Sequence, residues 1–260
     1  SLTHSAVSLA MRCWQAKGND MQWLWGIGLF LLSMLALAEP LRLGFGTNKP
    51  PYVFEGEARG LEYEIVVAAA QRAGFAVEVR FAPMERLHLM LRRGEIDGIA
   101  STNTQSGISA FYSEPYIYYQ NVAIALRERH YNIKRIADLG VYSVSAFQRA
   151  RFLLGNEFQR MAESNPRYYE EARQVARNRL LYSGRIDVVV ADMRIFRYFN
   201  RDVLDQVDVS QPLAEYPVFP PTAYQVGFAQ KEQRDLFDRG LAAIRASGEY
   251  RAIERNYAMY

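Results

Sequence analysis

Apolar and polar positions follow a regular order along the first half of the chain. Residues 41–45 alternate apolar side chains with small or polar ones, which predicts a strand, and residues 61–73 carry apolar side chains at helical spacing. A strand at 75–81, a helix at 84–93 and a short apolar strand at 96–100 follow. The order of strand, helix, strand, helix and strand predicts an α/β fold with a mainly parallel sheet covered by helices.

The second half repeats this scheme. Its predicted elements are a crossover strand at 121–126, strands at 141–145, 188–191 and 224–229, and helices at 149–162, 168–182, 234–245 and 250–257. The Gly-x-Ile-Asp sequence that ends at Asp97 is echoed by the one that ends at Asp187. Both precede a predicted buried strand, which supports two lobes of similar construction.

Two passages of the chain between the halves predict a hinge. We place lobe 1 at residues 39–124 and 214–260, and lobe 2 at residues 125–213, with the return crossover near Leu213. Clefts between lobes are common ligand sites, because closure of the lobes can surround a small molecule.

Residues 1–38 differ from the rest of the chain. The apolar stretch at 23–38 has the length of the apolar region of a signal peptide and ends in the small-x-small sequence Ala36-Leu37-Ala38. We therefore predict that residues 1–38 are a signal peptide with an upstream region, cleaved after Ala38, and that the protein is periplasmic. An uncleaved anchor is the alternative, and Met11 and Met21 are both candidate start sites.

Composition excludes several classes of protein and of site. Half of the residues are apolar and 23% are charged, which excludes wholesale disorder and a membrane-embedded fold. The net charge of +3 is spread without long blocks of one sign, so nucleic-acid binding is not indicated. The only cysteine, Cys13, lies before the predicted cleavage site, and the histidines His4, His88 and His130 are scattered. The sequence therefore indicates no disulfide, no catalytic triad, no metal site and no cofactor.

Short motifs in a fixed order carry a family resemblance. They are Pro50-Pro51-Tyr52, Gly60 to Ile65, Gly94 to Asp97, Tyr112 to Tyr116, Gly184 to Asp192, and Ser247 to Tyr250. Through these motifs the chain resembles the family 3 extracellular solute-binding proteins, of the type that serves polar amino-acid ABC transporters. The resemblance implies a two-lobed clamshell of the type II periplasmic-binding-protein kind, which captures a small polar solute, amino-acid-like or cationic, by hinge closure. It also implies a monomer that delivers the solute to a membrane transporter permease or a membrane sensor.

One position departs from the family pattern. Amino-acid receptors of this family carry a Thr-x-x-Arg sequence whose arginine binds the carboxylate of the ligand, and here those positions are Asn103 and Ser106. A serine cannot supply two parallel charge-assisted hydrogen bonds to a carboxylate. Asp192, in contrast, matches the aspartate that the family uses for the α-amino group. The resemblance therefore leaves two alternatives, a cationic ligand or a ligand held in a different pose.

Five candidate ligand contacts lie in lobe 1, beside two loops. Tyr52 and Phe54 follow the Pro-Pro turn, where aromatic faces can grip apolar or cationic groups, although ordinary packing under the loop is the alternative. Ser101, Thr102 and Asn103 follow a predicted buried strand, and open α/β sheets bind ligands beyond the carboxyl ends of their strands. For these three residues a solvated turn is the alternative.

The remaining candidates lie on helix starts. Met84 and Arg86 begin a predicted helix, where Met84 could form a wall of the cleft and Arg86 could bind an anion or tie elements together by a salt bridge. Phe147, Gln148 and Arg149 lie between a strand and a helix of lobe 2, where helix-start amides can receive an anionic group. Arg86 and Arg149 are the predicted replacements for the missing arginine.

Two other functions share this fold. Some relatives are dehydratases of prephenate-like substrates that use cleft carboxylates, but Asp97 and Asp187 are expected in turn and capping roles. The other alternative is an input protein of a signalling system that binds a partner. We expect a binding protein with no catalytic residues.

Overall fold

Two β-sheets organise the computed structural model, which describes residues 39–260. The predicted signal segment, Cys13 and the candidate start methionines lie outside the described residues. The strands are β1 (Leu41–Gly46), β2 (Val77–Ala82), β3 (Gly98–Thr102), β4 (Phe111–Tyr112), β5 (Ile117–Tyr119), β6 (Asn121–Leu126), β7 (Val144–Ala146), β8 (Tyr168–Glu170), β9 (Val188–Asp192), β10 (Leu213–Tyr216) and β11 (Thr222–Phe228). The α-helices are α1 (Leu61–Arg72), α2 (Met84–Arg92), α3 (Ala150–Leu153), α4 (Asn156–Ser164), α5 (Gln174–Tyr182), α6 (Met193–Asn200), α7 (Lys231–Ser247) and α8 (Glu249–Asn256), and 3-10 turns span Arg127–Arg129 and Ile136–Val141.

The first sheet has the strand order β2, β1, β3, β11 and β4, with β5 paired to β11. β1 runs parallel to β2 and β3, whereas β11 runs antiparallel to β3. Helix α1 packs against α7 over this sheet, and a Cβ atom on Gly240 of α7 would lie only 2.0 Å from the carbonyl oxygen of Ala69. The close approach of these two helices therefore requires glycine at position 240.

The second sheet has the strand order β10, β6, β9, β7 and β8. β7 runs parallel to β8 and β9, and β6 runs antiparallel to β9 and β10. The chain passes from the first sheet to the second between Tyr119 and Asn121 and returns between Tyr216 and Thr222. Both passages lie within a few residues of the predicted lobe boundaries, and the exact division into lobes stays a prediction.

The predicted fold class is confirmed, with helices flanking two sheets, but both sheets are mixed rather than mainly parallel. Residues 168–182 do not form one helix: Tyr168–Glu170 is a strand paired with β7, since tyrosines favour extended conformations, and the helix begins at Gln174. The predicted helix at 149–162 is divided in two at Gly155, whose φ of 92° is incompatible with a continuing helix.

The two Gly-x-Ile-Asp sequences perform the same structural task. One carboxylate oxygen of Asp97 accepts a hydrogen bond from the backbone N–H of Arg42 at 2.8 Å, and the guanidinium of Arg42 pairs with the other oxygen. Asp187 accepts from the backbone N–H and the hydroxyl of Ser143, each at 2.8 Å. Asp97 thus joins the start of β3 to the neighbouring parallel strand β1. Asp187 joins the start of β9 to the residue before β7, and both contacts are as expected for a turn role.

We expect asparagine at position 97 or 187 to lower the free energy of unfolding by about 1 kcal/mol at pH 7. Burial alone would raise the pKa of Asp97, but the hydrogen bonds from Arg42 outweigh burial and hold the pKa below its ordinary value. The pKa of Asp187 is lowered in the same way, by Tyr131 and Ser143. A depressed folded-state pKa contributes stability above the ordinary pKa, which is lost as pH falls. Urea unfolding should therefore show a smaller difference from wild type at pH 3 than at pH 7.

The exposed Asp205→Asn is the control for both variants, because its carboxylate accepts only a long bond from the neighbouring Gln206 among the described residues. A cost at position 97 or 187 that is equal at both pH values would contradict the electrostatic explanation.

Candidate functional site

A cavity lies between the two sheets, at the carboxyl ends of strands from both. About 610 Å³ of space is free of protein atoms there, including the part open to solvent. The lining residues include the loop after β1, the end of β3, the loop after β7 and the end of β9, which is where open α/β sheets bind ligands. Tyr119 and Asn121, which flank the first passage between the sheets, also line the cavity.

The structure brings five of the predicted contacts together at this cavity. They are Met84, Ser101, Phe147, Gln148 and Asp192, with the first two from the side of the first sheet and the last three from the side of the second. Their role as ligand contacts stays a prediction, but their side chains surround one shared space.

Tyr52, Phe54 and Thr102 are not among the residues that line the cavity. The Tyr52 hydroxyl donates to Asp192 Oδ2 at 3.0 Å, and its ring stacks on Tyr119 with centroids 3.9 Å apart. Phe54 is buried, with the guanidinium of Arg59 3.4 Å from the centre of its ring. The Thr102 hydroxyl is buried without a hydrogen-bond partner among residues 39–260. Tyr52 therefore reaches the cavity only through Asp192 and Tyr119.

Asn103, Arg86 and Arg149 lie away from this cavity. Asn103 lines a separate cavity, and its amide is 3.4 Å from the carbonyl oxygens of Leu153 and Ala223. Arg86 is exposed on α2. Arg149 pairs with Glu85 at 3.1 Å and donates to the backbone carbonyl of Ser106. Arg149 thus links the two halves at the edge of the cleft, because its guanidinium is held by α2 and the loop after β3.

Arg177 is a cavity residue that the sequence analysis missed. It lies on α5, is 3% exposed, and donates from Nη1 to the carbonyl of Val190 at 3.1 Å. Its Nε has no hydrogen-bond partner in the described part of the chain, and neither has Oε1 of the adjacent cavity residue Gln174. Burial lowers the pKa of Arg177 to about 10. Polar residues spaced three or four apart on a helix usually mark its solvated face, so this pattern does not distinguish Arg177 from a surface residue.

Lys49 is the second cation that the sequence analysis missed. It is partly buried in the loop after β1, and its ammonium lies 5.3 Å from the ring centroids of both Tyr119 and Tyr224. Burial lowers the pKa of Lys49, whereas the charges of Glu62 and Asp192 act in the opposite direction. A basic residue directly before a Pro-Pro turn, at the carboxyl end of the first strand, is the signal that could have found it.

Glu62 fixes the side of the cavity that belongs to the first sheet. Its carboxylate is fully buried at the start of α1 and accepts hydrogen bonds from the hydroxyls of Ser101, Tyr116 and Tyr119. The Tyr116 hydroxyl in turn accepts from the backbone N–H of Ser101 at 2.8 Å. Since Ser101 and Tyr119 line the cavity, one buried carboxylate determines the orientation of two lining side chains.

Asp192 supplies the negative charge on the opposite side. It accepts from the Tyr52 hydroxyl and from the backbone N–H groups of Arg194 and Ile195 at 2.9 and 3.4 Å, and so caps helix α6. Burial raises the pKa of Asp192 in spite of these hydrogen bonds. The cavity therefore presents one carboxylate and two cations, which is a suitable arrangement for a small molecule that carries both signs of charge.

Other kinds of site are not indicated by the described residues. Within residues 39–260 no three histidine, cysteine, aspartate or glutamate side chains are grouped so that they could hold a metal ion. In the same part of the chain no helix has the length and apolar character needed to cross a membrane.

Sequence comparisons identify a family and a curated relative. The model of the family described as bacterial extracellular solute-binding proteins, family 3, matches residues 41–259. Membrane-bound lytic murein transglycosylase F of Desulfosudis oleivorans is 25% identical over 217 residues, which is 79% of this chain and 45% of that protein. The chain thus spans less than half the length of this relative.

Solved structures share the fold. A histidine kinase sensor domain with similarity to periplasmic binding proteins superposes with a TM-score of 0.70 at 21% identity, over 84% of this chain and 95% of that one. The arginine-, lysine-, histidine-binding protein ArtJ of Geobacillus stearothermophilus gives a TM-score of 0.67 at 16% identity, over 84% and 94% of the two chains. At these identities the likeness concerns the fold.

Proposed function

Because the chain belongs to the bacterial extracellular solute-binding proteins of family 3, we propose that it binds a small amino-acid-like solute between its two sheets. The observation that supports this most directly is the convergence of Lys49, Arg177 and Asp192 on one cavity. In this proposal a carboxylate of the solute binds to Lys49 and Arg177, and an ammonium group of the solute binds to Asp192. Charge-assisted hydrogen bonds of this kind are stronger than neutral ones and give the site its selectivity.

The missing family arginine has a substitute in this proposal. Arg149 and Arg86 were the predicted replacements, but Arg149 is engaged by Glu85 and Ser106, and Arg86 is exposed. Arg177 lies in the cavity and retains a buried N–H without a partner among the described residues. An arginine from the second half would therefore take over the binding of a carboxylate, which corresponds to the different pose left open by the sequence.

Solute capture would proceed by closure of the two halves around the hinge. Polar contacts join the halves beside the cavity, among them those of Tyr52 with Asp192, of Arg149 with Glu85, and of the Arg194 guanidinium with the backbone carbonyl of Tyr257. Contacts that exist only in the closed state shift the equilibrium towards that state. We propose that solute and these contacts stabilise closure together.

Removal of Glu85 tests the role of closure. We expect Glu85→Ala to weaken the affinity for solute by about two- to fivefold, because the pair with Arg149 is partly exposed and such pairs contribute less than about 1 kcal/mol. Titration calorimetry measures this change. Glu57→Ala is the matched control, since the Glu57 carboxylate pairs with Arg59 within one half. Equal effects of the two variants would contradict a role of the Glu85 pair in closure.

The family also suggests the cellular compartment in which the chain acts. The family is extracellular, and we propose that the mature chain acts in the periplasm as a monomer and hands its solute to a membrane transporter. Calorimetric and thermal-shift titration of the purified chain with the L-amino acids tests the binding function. A panel of amino acids and small organic acids that leaves both heat and melting temperature unchanged would refute it.

A signalling role is the second candidate. It is supported by the fold shared with a histidine kinase sensor domain and by a relative more than twice as long as the matched segment. In that case the solute-loaded chain would bind a membrane sensor or an adjoining domain instead of a permease. Co-purification from membranes with and without solute distinguishes the two roles by the identity of the captured partner.

We propose binding rather than catalysis at this cavity. Its two nearby carboxylates are both engaged, Glu62 by three hydroxyls and Asp192 by a tyrosine hydroxyl and a helix terminus. A carboxylate held in this way is poorly placed to move protons on a substrate. Turnover of prephenate or arogenate by the purified chain would overturn this part of the proposal.

A further inference from the structure

Two tyrosine rings form a corner inside the cavity. The rings of Tyr119 and Tyr224 meet at 70° with centroids 4.7 Å apart, and the Tyr52 ring stacks on Tyr119. Faces of aromatic rings attract cations, and two faces set at an angle define a binding position for one positive charge. The Lys49 ammonium occupies this position, 5.3 Å from each centroid.

Two buried carboxylates add to the negative potential of the corner. Glu62 is hydrogen-bonded to the hydroxyl of Tyr119, and Asp192 lines the same cavity. Neither forms an ion pair within 4.0 Å of Lys49 in the described part of the chain. Without the lysine side chain, the aromatic faces and these charges would constitute a site for a cationic group of a ligand.

The backbone directs Lys49 into this corner. The preceding residue, Asn48, has a φ of 60°, a left-handed conformation that asparagine tolerates better than most residues. The lysine stem then passes close to Gly46, where a Cβ atom would lie 3.3 Å from Lys49 Cε. The loop is thus shaped so that the ammonium reaches the cavity and not the solvent.

We infer that Lys49 occupies the position of a cationic ligand group and thereby makes the cavity select against solutes with a second positive charge. A basic amino acid or a diamine would have to displace the ammonium or lie beside it, and like charges at short distance repel strongly in a partly buried site. Neutral amino acids carry no second positive charge and avoid this repulsion. The side-chain carboxylate of an acidic amino acid is attracted to the Lys49 ammonium. This inference rests on the proposed function, of which it specifies the solute class.

The test uses two substitutions of Lys49 that separate space from charge. Lys49→Ala empties the corner and removes the charge, whereas Lys49→Met removes the charge but keeps an unbranched side chain in the corner. Wild type and both variants are titrated calorimetrically with L-glutamate, L-glutamine, L-arginine, L-lysine and 1,5-diaminopentane, and thermal unfolding verifies that each variant is folded.

We expect Lys49→Ala to gain affinity for the basic amino acids and the diamine by about tenfold or more, and to lose affinity for glutamate. Lys49→Met should lose affinity for glutamate without a comparable gain for the bases. If Lys49→Ala binds no basic solute more tightly than wild type does, the inference is wrong, even when wild type binds glutamate and the proposed function stands.

The same titrations can support the inference about Lys49 while contradicting the proposed function. If wild type binds none of the five probes but Lys49→Ala binds a basic one, the inference is supported, and the proposed binding of an anionic group by Lys49 and Arg177 is refuted. If neither protein binds any probe, both proposals are overturned.

Discussion

Replacing Glu62 with alanine is expected to lower the free energy of unfolding by about 3 to 5 kcal/mol. The carboxylate is fully buried and is the shared acceptor of the Ser101, Tyr116 and Tyr119 hydroxyls. Its loss leaves three hydroxyls without their acceptor in an apolar interior and creates a cavity beside α1. Because two of these hydroxyls belong to cavity-lining residues, the affinity for solute should fall as well.

Chemical denaturation measures this loss of stability. Tyr119→Phe removes one of the three donors and should cost about 1 to 2 kcal/mol, a part of the effect at Glu62. Glu78→Ala is the control for loss of a glutamate, since its side chain is partly exposed and pairs only with Arg80 among the described residues. A Glu62→Ala protein as stable as Glu78→Ala would show that the hydroxyls find other partners.

Replacing Arg177 with methionine is expected to separate binding from stability. If Arg177 receives a carboxylate of the solute, its loss should weaken affinity by about 100-fold or more, as is usual for a buried charged contact. The folded chain without solute should be as stable as wild type or more stable, because burial disfavours this charge and lowers its pKa to about 10. A group whose folded-state pKa is lowered in this way opposes folding at pH 7, where it is charged in both states.

Calorimetry measures the affinity of Arg177→Met and wild type for solute, and thermal unfolding measures their stability without it. Arg179→Met is the matched control on the same helix, because its guanidinium is exposed and donates to Gln206. We expect the control to retain its affinity. If Arg177→Met without solute melts at a lower temperature than wild type, and partial unfolding accounts for the lost affinity, the prediction is contradicted. Arg177 would then have a structural role through its hydrogen bond to Val190.

Much of the fold could be predicted because hydrophobic periodicity reports burial. Strand β6 occupies the predicted residues 121–126, and helix α1 begins at the predicted Leu61. The helix predicted at 168–182 is wrong at its start, because Tyr168 and Tyr169 pair at the edge of the second sheet. Mixed strand direction was also missed, since periodicity shows that a strand is buried and says nothing of the direction of its neighbours.

The site was only partly predictable, for a different reason. Asp192 and Ser101 lie at the ends of buried strands, and that position alone places them near a cleft. Arg177 was hidden because a polar residue on a helix usually faces water, and only the packing of α5 against β9 buries it. Arg149 was expected in the cavity, but its partner Glu85 is 64 residues away along the chain. Pairings over such distances are set by tertiary structure and leave no local pattern.

Tyr119 ends the last strand of the first sheet before the chain crosses, Asn121 begins the first strand after the crossing, and both line the cavity. If the two halves move about this passage, the hinge and the cavity wall share residues, and a solute in the cavity would touch the hinge directly. The three tryptophans all precede residue 39, at positions 14, 23 and 25. In a mature chain that begins at residue 39, the emission of the 17 tyrosines would be free of tryptophan background, so solute titrations could be followed by tyrosine fluorescence.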